Sequence, residues 1–382
     1  MALFLFACEQ APIFDMISRE VKPREPRVKG VPTKMVLYEY ETSKYGMYVA
    51  DSSLHRYAAE VPNGEGVWDK GSIPQPSGRI FDLAATKSYL YALTDPDSPR
   101  LYRFDWKEMK WTEVKFVSDN QGYSRLQTIY GECGSDGKPL TDSLYLGASN
   151  SAGAYAVFHT DGITGLTLIP STTGLLTGAA YDGSDKHYFA TDGGGVYTST
   201  NPDTLGFSLV PETEGAIKGL IQLPFPSSSV IALRGDGALI ELNSGSVKKV
   251  YEAADNSLSL TGPAAVWKDN GGNTLLLLAV RVSLSGSNST YGYRELDITS
   301  GFPTGDITLK EPGSDPAHST ADDNKRYKDT IEPKPVNSLL QVPSDRTLFA
   351  SVQGRGISQN NTDGGLWSYR SRDGIWQWNA EE

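Results

Sequence analysis

Cysteine is almost absent from this chain of 382 residues, which carries only Cys8 and Cys133. Two cysteines cannot build the multi-bridge framework that stabilises small secreted domains, and neither stands at zinc spacing from a histidine. The two could pair with each other, whereas a modified Cys8 would leave Cys133 a lone thiol. Histidine is nearly as scarce, with His55, His159, His187 and His318 and no His-x-His or His-Glu-x-x-His spacing. Three of the four fall in runs that read as strands, where an unpartnered histidine is expected on a sheet surface. Basic charge is in deficit: 35 Lys and Arg against 46 Asp and Glu leave a net charge of −11. The basic clusters at 22–27 and 325–328 are short, which argues against nucleic acid, because phosphate binding needs clustered cations that release counterions. No apolar run reaches the roughly 18 residues a membrane-spanning helix requires. No Gly-x-Ser-x-Gly elbow occurs, and Gly137-Lys138 is followed by Pro139 where a phosphate loop needs Ser or Thr. Asp95/Asp97 and Asp322/Asp323/Asn324 lack the Asp-x-Asp-x-Asp-Gly register of a calcium loop. Motifs therefore assign no catalytic residue, no metal ligand and no cofactor.

Glycine and proline are plentiful, 39 and 22 residues, and they punctuate a phrase that returns seven times. A β-rich run ends in a small residue, a Gly/Asp/Ser turn follows, and then an apolar-x-x-apolar strand. The copies of that second strand are Leu54–Tyr57, Leu101–Phe104, Tyr155–Phe158, Val196–Ser199, Leu239–Leu242, Tyr293–Leu296 and Leu366–Tyr369. Their first residues lie 47, 54, 41, 43, 54 and 73 apart, the last interval being lengthened by a polar insert. A period of roughly 40–50 residues made of four short strands is the pattern of a β-propeller. The expectation is an all-β, seven-bladed β-propeller of four-stranded blades over 33–382, with six or eight blades as alternatives should an end unit be incomplete.

The second unit shows the four strands most plainly: a over Arg79–Ala85, b over Ser88–Thr94, c over Arg100–Trp106 and d over Lys110–Val117. Strand b carries a column of small residues, Ala92, Gly147, Ala190, Ala232, Ala279 and Ala350, with Val49 in the first unit. Small residues repeating at one place imply close packing where wedge-shaped blades crowd toward an axis. Aromatics on strand d (Trp68, Trp111, Phe207, Tyr251 and Trp376) are expected to cover the blade faces.

Tyr102-Arg-Phe-Asp105 followed by Lys110-Trp111-Thr-Glu-Val114 resembles the outer half of a kelch repeat. Asp363-Gly-Gly-Leu-Trp-Ser368 and Ser371-Arg-Asp-Gly-Ile-Trp376 resemble the degenerate Asp-box repeats of sialidase-type and photosystem-assembly propellers. The kelch Gly-Gly pair is missing from the inner strand and no Asp box has its full spacing. These likenesses imply a propeller of that broad kind and bring no activity with them.

At the N-terminus, Leu5-Phe6-Ala7-Cys8 resembles the lipobox of bacterial lipoproteins, although no Lys or Arg precedes the short apolar stretch. It implies a signal remnant over 1–7, a lipid on Cys8, an extended Pro-rich tether over 8–32, and a place in the bacterial cell envelope, periplasmic or on the outer-membrane face. Two residues beyond the small column, Asp51, Thr94, Ser149, Asp192, Arg234, Arg281 and Val352 are expected to ring one mouth of the axial channel. Loops 282–291 and 311–335 reach over the same face by this count. The ligand-binding candidates are Arg234, Arg281, Asp192, Asp51, Arg355, Arg326 and Tyr327. The function they suggest is non-enzymatic binding of a protein or glycan of the envelope, similar in outline to the propeller lipoproteins that assist outer-membrane protein assembly. The alternative is a glycosidase or lyase working in the axial pocket, which needs carboxylates with separated pKa values beside a Tyr or Arg group.

Overall fold

The computed structural model describes residues 28–381 except 29, 43, 59–66, 70–72, 118–121, 171, 225–228, 254, 256, 270, 285–288, 304, 313–330, 333, 355–363 and 373–374. Cys8 and the tether to 27 lie outside the described residues. Among those described, the one helical element is a 3₁₀ turn at Pro202–Thr204. All other regular elements are strands, in seven antiparallel sheets that follow chain order.

Blade 1 holds β1 Met35–Glu41, β2 Lys44–Ala50, β3 Leu54–Ala58 and β4 Val67–Asp69. Blade 2 holds β5 Ile80–Ala85, β6 Leu90–Thr94, β7 Arg100–Asp105 and β8 Lys110–Glu113. Blade 3 holds β9 Arg125–Cys133, β10 Pro139–Ser149, β11 Tyr155–Thr160 and β12 Thr167–Ile169. Blade 4 holds β13 Leu175–Tyr181, β14 His187–Asp192, β15 Gly195–Ser199 and β16 Ser208–Leu209. Blade 5 holds β17 Ile217–Gln222, β18 Val230–Arg234, β19 Leu239–Asn243 and β20 Ser246–Tyr251. Blade 6 holds β21 Leu258–Lys268, β22 Thr274–Ser283 and β23 Ser289–Asp297. Blade 7 holds β24 Val336–Gln341, β25 Leu348–Val352, β26 Gly365–Arg372 and β27 Ile375–Ala380. All seven repeats of the sequence fall on third strands, and the fold is the expected seven-bladed β-propeller.

The apolar core is divided into seven layers, one at each blade-to-blade interface. Strand alternation builds them: Leu90 and Ala92 enter the layer between blades 1 and 2, while Tyr91 and Leu93 enter the layer between blades 2 and 3. Both faces of each central strand are covered, so β6 is buried along its whole length. Trp68, Trp111, Phe207 and Tyr251 pack against these layers as expected, and the side chain of Trp376 lies outside the described residues.

The small column is buried throughout but does not share one face. Val49, Ala92, Ala232 and Ala350 pack toward the preceding blade. Ala190 and Ala279 pack toward the following one, as does Gly147, where an added Cβ would stand 2.8 Å from Leu176 Cβ. The b-to-c pairing explains the split, since Val49, Ala92, Ala232 and Ala350 pair one residue further along strand c than Ala190 and Ala279 do. A one-residue slip exchanges the two faces of a strand.

Each end blade owns four strands, so the ring closes by side chains between blades 7 and 1. Apolar packing there joins Val28, Met35, Leu37 and Tyr57 to Leu340, Val342 and Phe349. Hydrogen bonds across the seam include Ser351 Oγ to Pro32 O at 2.6 Å, Met35 N to Ser338 Oγ at 3.1 Å, Tyr57 OH to Asp345 Oδ2 at 2.8 Å and Trp68 Nε1 to Glu381 Oε2 at 2.8 Å.

Blade 6 departs from the expected four strands. Its third strand pairs with Lys310 at Glu295 and again with Glu332 at Tyr291. Lys310 and Glu332 lie 22 positions apart in the chain but meet β23 only four positions apart. The polar insert therefore interrupts the place of a fourth strand. Buried Arg294 sits between its two ends, 3.5 Å from Glu311 and 3.7 Å from Glu332.

Candidate functional site

The first strands of all seven blades surround an axial cavity of about 540 Å³, within the size range of ligand pockets. A β-bulge recurs near the start of these strands. One extra residue is inserted at Phe81, Gln127, Thr177, Lys218 and Asn337, and two extra within Thr261-Gly262-Pro263, which together oppose Ala279. Bulges re-aim side chains, and those of blades 4 to 7 place Thr177, Lys218, Thr261 and Asn337 on the cavity rim. The first strands come close because glycine allows it. A Cβ on Gly219 would stand 2.7 Å from Gly262 O, and one on Gly131 2.0 Å from Ala85 O.

On the face carrying the a–b turns the channel has a floor. The tip of the β9–β10 hairpin, residues 133–138, crosses from blade 3 under the axis. Its Ser135 N donates to Gln222 Oε1 of blade 5 at 3.2 Å, and Gly137 lies against Leu340 of blade 7 and Leu37 of blade 1. Lys138 Nζ reaches the Tyr45 ring of blade 1, 4.9 Å from its centroid. The Gly137-Lys138 pair, which carries no phosphate chemistry, thus forms part of the floor. The cavity is a blind pocket opening on the face of the b–c turns.

The hairpin bends because β10 bulges between Pro139 and Leu144, and the bend is fixed by Glu132, which is fully buried. The Glu132 carboxylate accepts from Thr141 Oγ1 at 2.6 Å and Tyr145 OH at 2.9 Å, and pairs with His187 Nδ1 of blade 4 at 2.8 Å. Burial pushes its carboxyl above the ordinary value, opposed by those three partners. Ser88 of blade 2 braces the same bulge, donating from N and Oγ to Asp142 at 2.8 and 3.1 Å. Cys133, at the start of the floor, keeps part of its surface open to the cavity while protein surrounds it. Burial, with Asp136 and Glu132 nearby, pushes its thiol up to about 12, so it remains the unreactive neutral form.

Charge along the wall is cancelled locally. Lys34 Nζ donates to Asp82 Oδ2 at 2.9 Å, to Thr128 Oγ1 at 3.0 Å and to the Ile129 carbonyl, and lies 3.5 Å from the centroid of the Tyr130 ring. Lys218 Nζ pairs with Asp192 Oδ2 at 2.8 Å. Asp136 is the single carboxylate among the described lining residues and faces Lys138 at 3.6 Å; no arginine lines the cavity. Between rim and floor the half-buried aliphatic side chains include Val36, Leu220, Ile221 and Ala264.

The residues singled out from sequence stand outside this lining. Thr94, Ser149 and Val352 are buried at the ends of second strands. The Asp51 side chain turns inward to accept from Ser53 N at 3.3 Å and to meet His55 Nε2 at 3.0 Å. Arg234 is held by Asp236 at 2.8 Å and Glu252 at 3.1 Å, and its hydrogen bonds to Asp236 push its pKa up. Exposed Arg281 donates from Nε to Ser289 Oγ at 3.1 Å. Asp192 comes nearest the pocket, through Lys218. Arg355, Arg326, Tyr327 and His318 lie outside the described residues, and the described ends of the 311–335 segment follow the outer edge of β23. His55 and His159 are buried rather than on a blade surface. The sequence reading placed a first strand over 79–85 but did not find the bulges or the pocket lining, since an inserted residue breaks the alternation by which a strand is read.

No family model matches the chain, and no curated protein matches it. Many solved structures are similar to it, among them those of U3-55K and YCF48. That of U3-55K is 12% identical, with a TM-score of 0.49, and the match covers 89% of this chain and 96% of that one. That of YCF48 bound to D1 peptide is 12% identical, with a TM-score of 0.47, over 90% of this chain and 94% of that one.

Proposed function

We propose that this chain is a non-enzymatic binding module: a rigid propeller, tethered to the bacterial envelope by a lipid on Cys8, that receives an envelope protein on the face where the blind pocket opens. The observation that carries the binding reading is the lining of that pocket. Its cations are already neutralised, its single carboxylate sits at the floor beside a lysine, and no arginine faces it. Glycan hydrolysis needs two carboxylates at defined separation or an activated tyrosine beside arginines, and the described lining offers neither. A rigid scaffold binds with little ordering cost of its own, which suits recognition.

Two measurements test the reading. Detergent partitioning and intact mass of the membrane-extracted protein, with Cys8→Ala as control, are expected to show acyl mass lost in the variant; unmodified soluble protein overturns the tether. Incubation with envelope glycans is expected to release no new reducing ends. Release that disappears in Lys34→Met would overturn the binding reading in favour of an enzyme.

A further inference from the structure

The pocket is layered in a way that narrows what enters it. Its rim presents Asn337 and Thr261, which can both donate and accept, and the hydroxyls of Thr177 and Thr33, which donate to Ile217 O and Phe81 O and so face the pocket as acceptors. Below them lies the apolar belt of Val36, Leu220, Ile221 and Ala264. The floor returns to polar chemistry with Gln222 and the main chain of Gly134–Gly137. Resting on the binding reading above, we infer that the pocket takes an uncharged loop of a partner polypeptide, with one apolar side chain inserted past the rim.

Three features select that occupant. The rim matches peptide main chain, whose N–H and C=O groups need both acceptors and donors. The belt rewards an apolar side chain and penalises a sugar hydroxyl that would be buried there without a partner. The internal pairing of Lys34 with Asp82 and of Lys218 with Asp192 leaves no free charge to hold an anionic chain end. The floor excludes a threaded chain, so depth is set for a side chain or a tight turn.

The test is selection of a phage-displayed library of random linear peptides on the full-length protein. Two channel variants are compared with it: Ala264→Trp, which fills the belt, and Thr261→Glu, which puts a charge on the exposed rim without touching the core. Lys107→Ala, on the exposed turn between β7 and β8 at the opposite face, is the control, and thermal melts establish that each variant is folded. Enriched peptides are expected to be uncharged around one apolar residue, to lose about tenfold or more in affinity to both channel variants, and to ignore the control. Enriched peptides that bind both channel variants as well as the parent would overturn this inference while the protein-binding reading stands. A library that yields no binder, with binding instead on a glycan array, counts against both.

Discussion

Glu132 and His159 show how much one buried titratable group can contribute. The Glu132 carboxylate anchors three side chains from two blades at the bend of the floor hairpin. Glu132→Ala strands those groups in a space without water, and removing one partner of such a buried cluster costs on the order of 3–5 kcal/mol. Cys133 reports on it directly: reaction of its thiol with a maleimide, followed by peptide mass spectrometry to separate it from Cys8, should be slow in the parent and much faster in Glu132→Ala. Equal rates would mean that Glu132 does not hold the floor. His159 lies against Tyr145, and burial lowers its pKa from 6.5 to about 4, with His187 adding to the shift and Asp161 opposing it. The unfolded chain therefore binds a proton that the folded chain refuses between those values. Stability from this group is complete above pH 6.5 and is lost as pH falls toward 4, by about 3 kcal/mol at most. Glu132, whose pKa is raised, acts in the opposite sense, so the difference between parent and His159→Phe isolates the histidine. Urea melts from pH 7 to pH 4 should show the parent losing its margin over the variant; parallel curves would refute the assignment.

At the scale of the strand, the second and third strands of each blade were legible, and so was the first strand of blade 2, read at 79–85 and found at Ile80–Ala85, but the bulges of the first strands were not. Leu239–Leu242 and its six counterparts repeat because both faces of a central strand are always covered and the pattern is short and regular. The first strands of blades 2 to 7 carry an insertion near their starts that shifts the register by one residue, or by two in blade 6, so their pocket-facing residues fall out of phase between repeats. A separate one-residue offset, in the pairing of second and third strands, hid the division of the small column between two faces. The predicted ring of Asp51, Asp192, Arg234 and Arg281 was counted along second strands and so follows their ends, while the pocket is lined one strand further in. Ala190 and Ala232 meet in a single layer between blades 4 and 5. Ala232→Leu overpacks that layer and should cost about 1–3 kcal/mol. An unchanged urea midpoint would show that the blades can separate to make room.

For the molecule as a whole, stability depends on seven interfaces of one kind, and that between blades 7 and 1 alone joins the two ends of the described chain. Trp68 and Glu381 act as the clasp of that interface. Glu381 accepts from Trp68 Nε1, from Ser368 Oγ and from Arg370, 3.2 Å away. Trp68→Phe removes the cross-seam donor and leaves a buried carboxylate short of one partner, at about 1–3 kcal/mol. Hydrogen exchange is expected to quicken in β1 to β3 and β24 to β26 while blades 3 to 5 keep their protection. Uniform acceleration around the ring would instead mean that the propeller opens as one cooperative unit.

A circle assembled from complete units has no privileged first member. Because no strand is shared across the closing interface, a linker from residue 381 back to residue 28 and a new break between any two neighbouring blades would keep every sheet intact. The order of the repeats in the gene is then one of seven equivalent ways to write the same object, and circular permutation, which succeeds where few contacts cross the cut, becomes a way to move the point of attachment around the rim without disturbing what the pocket presents.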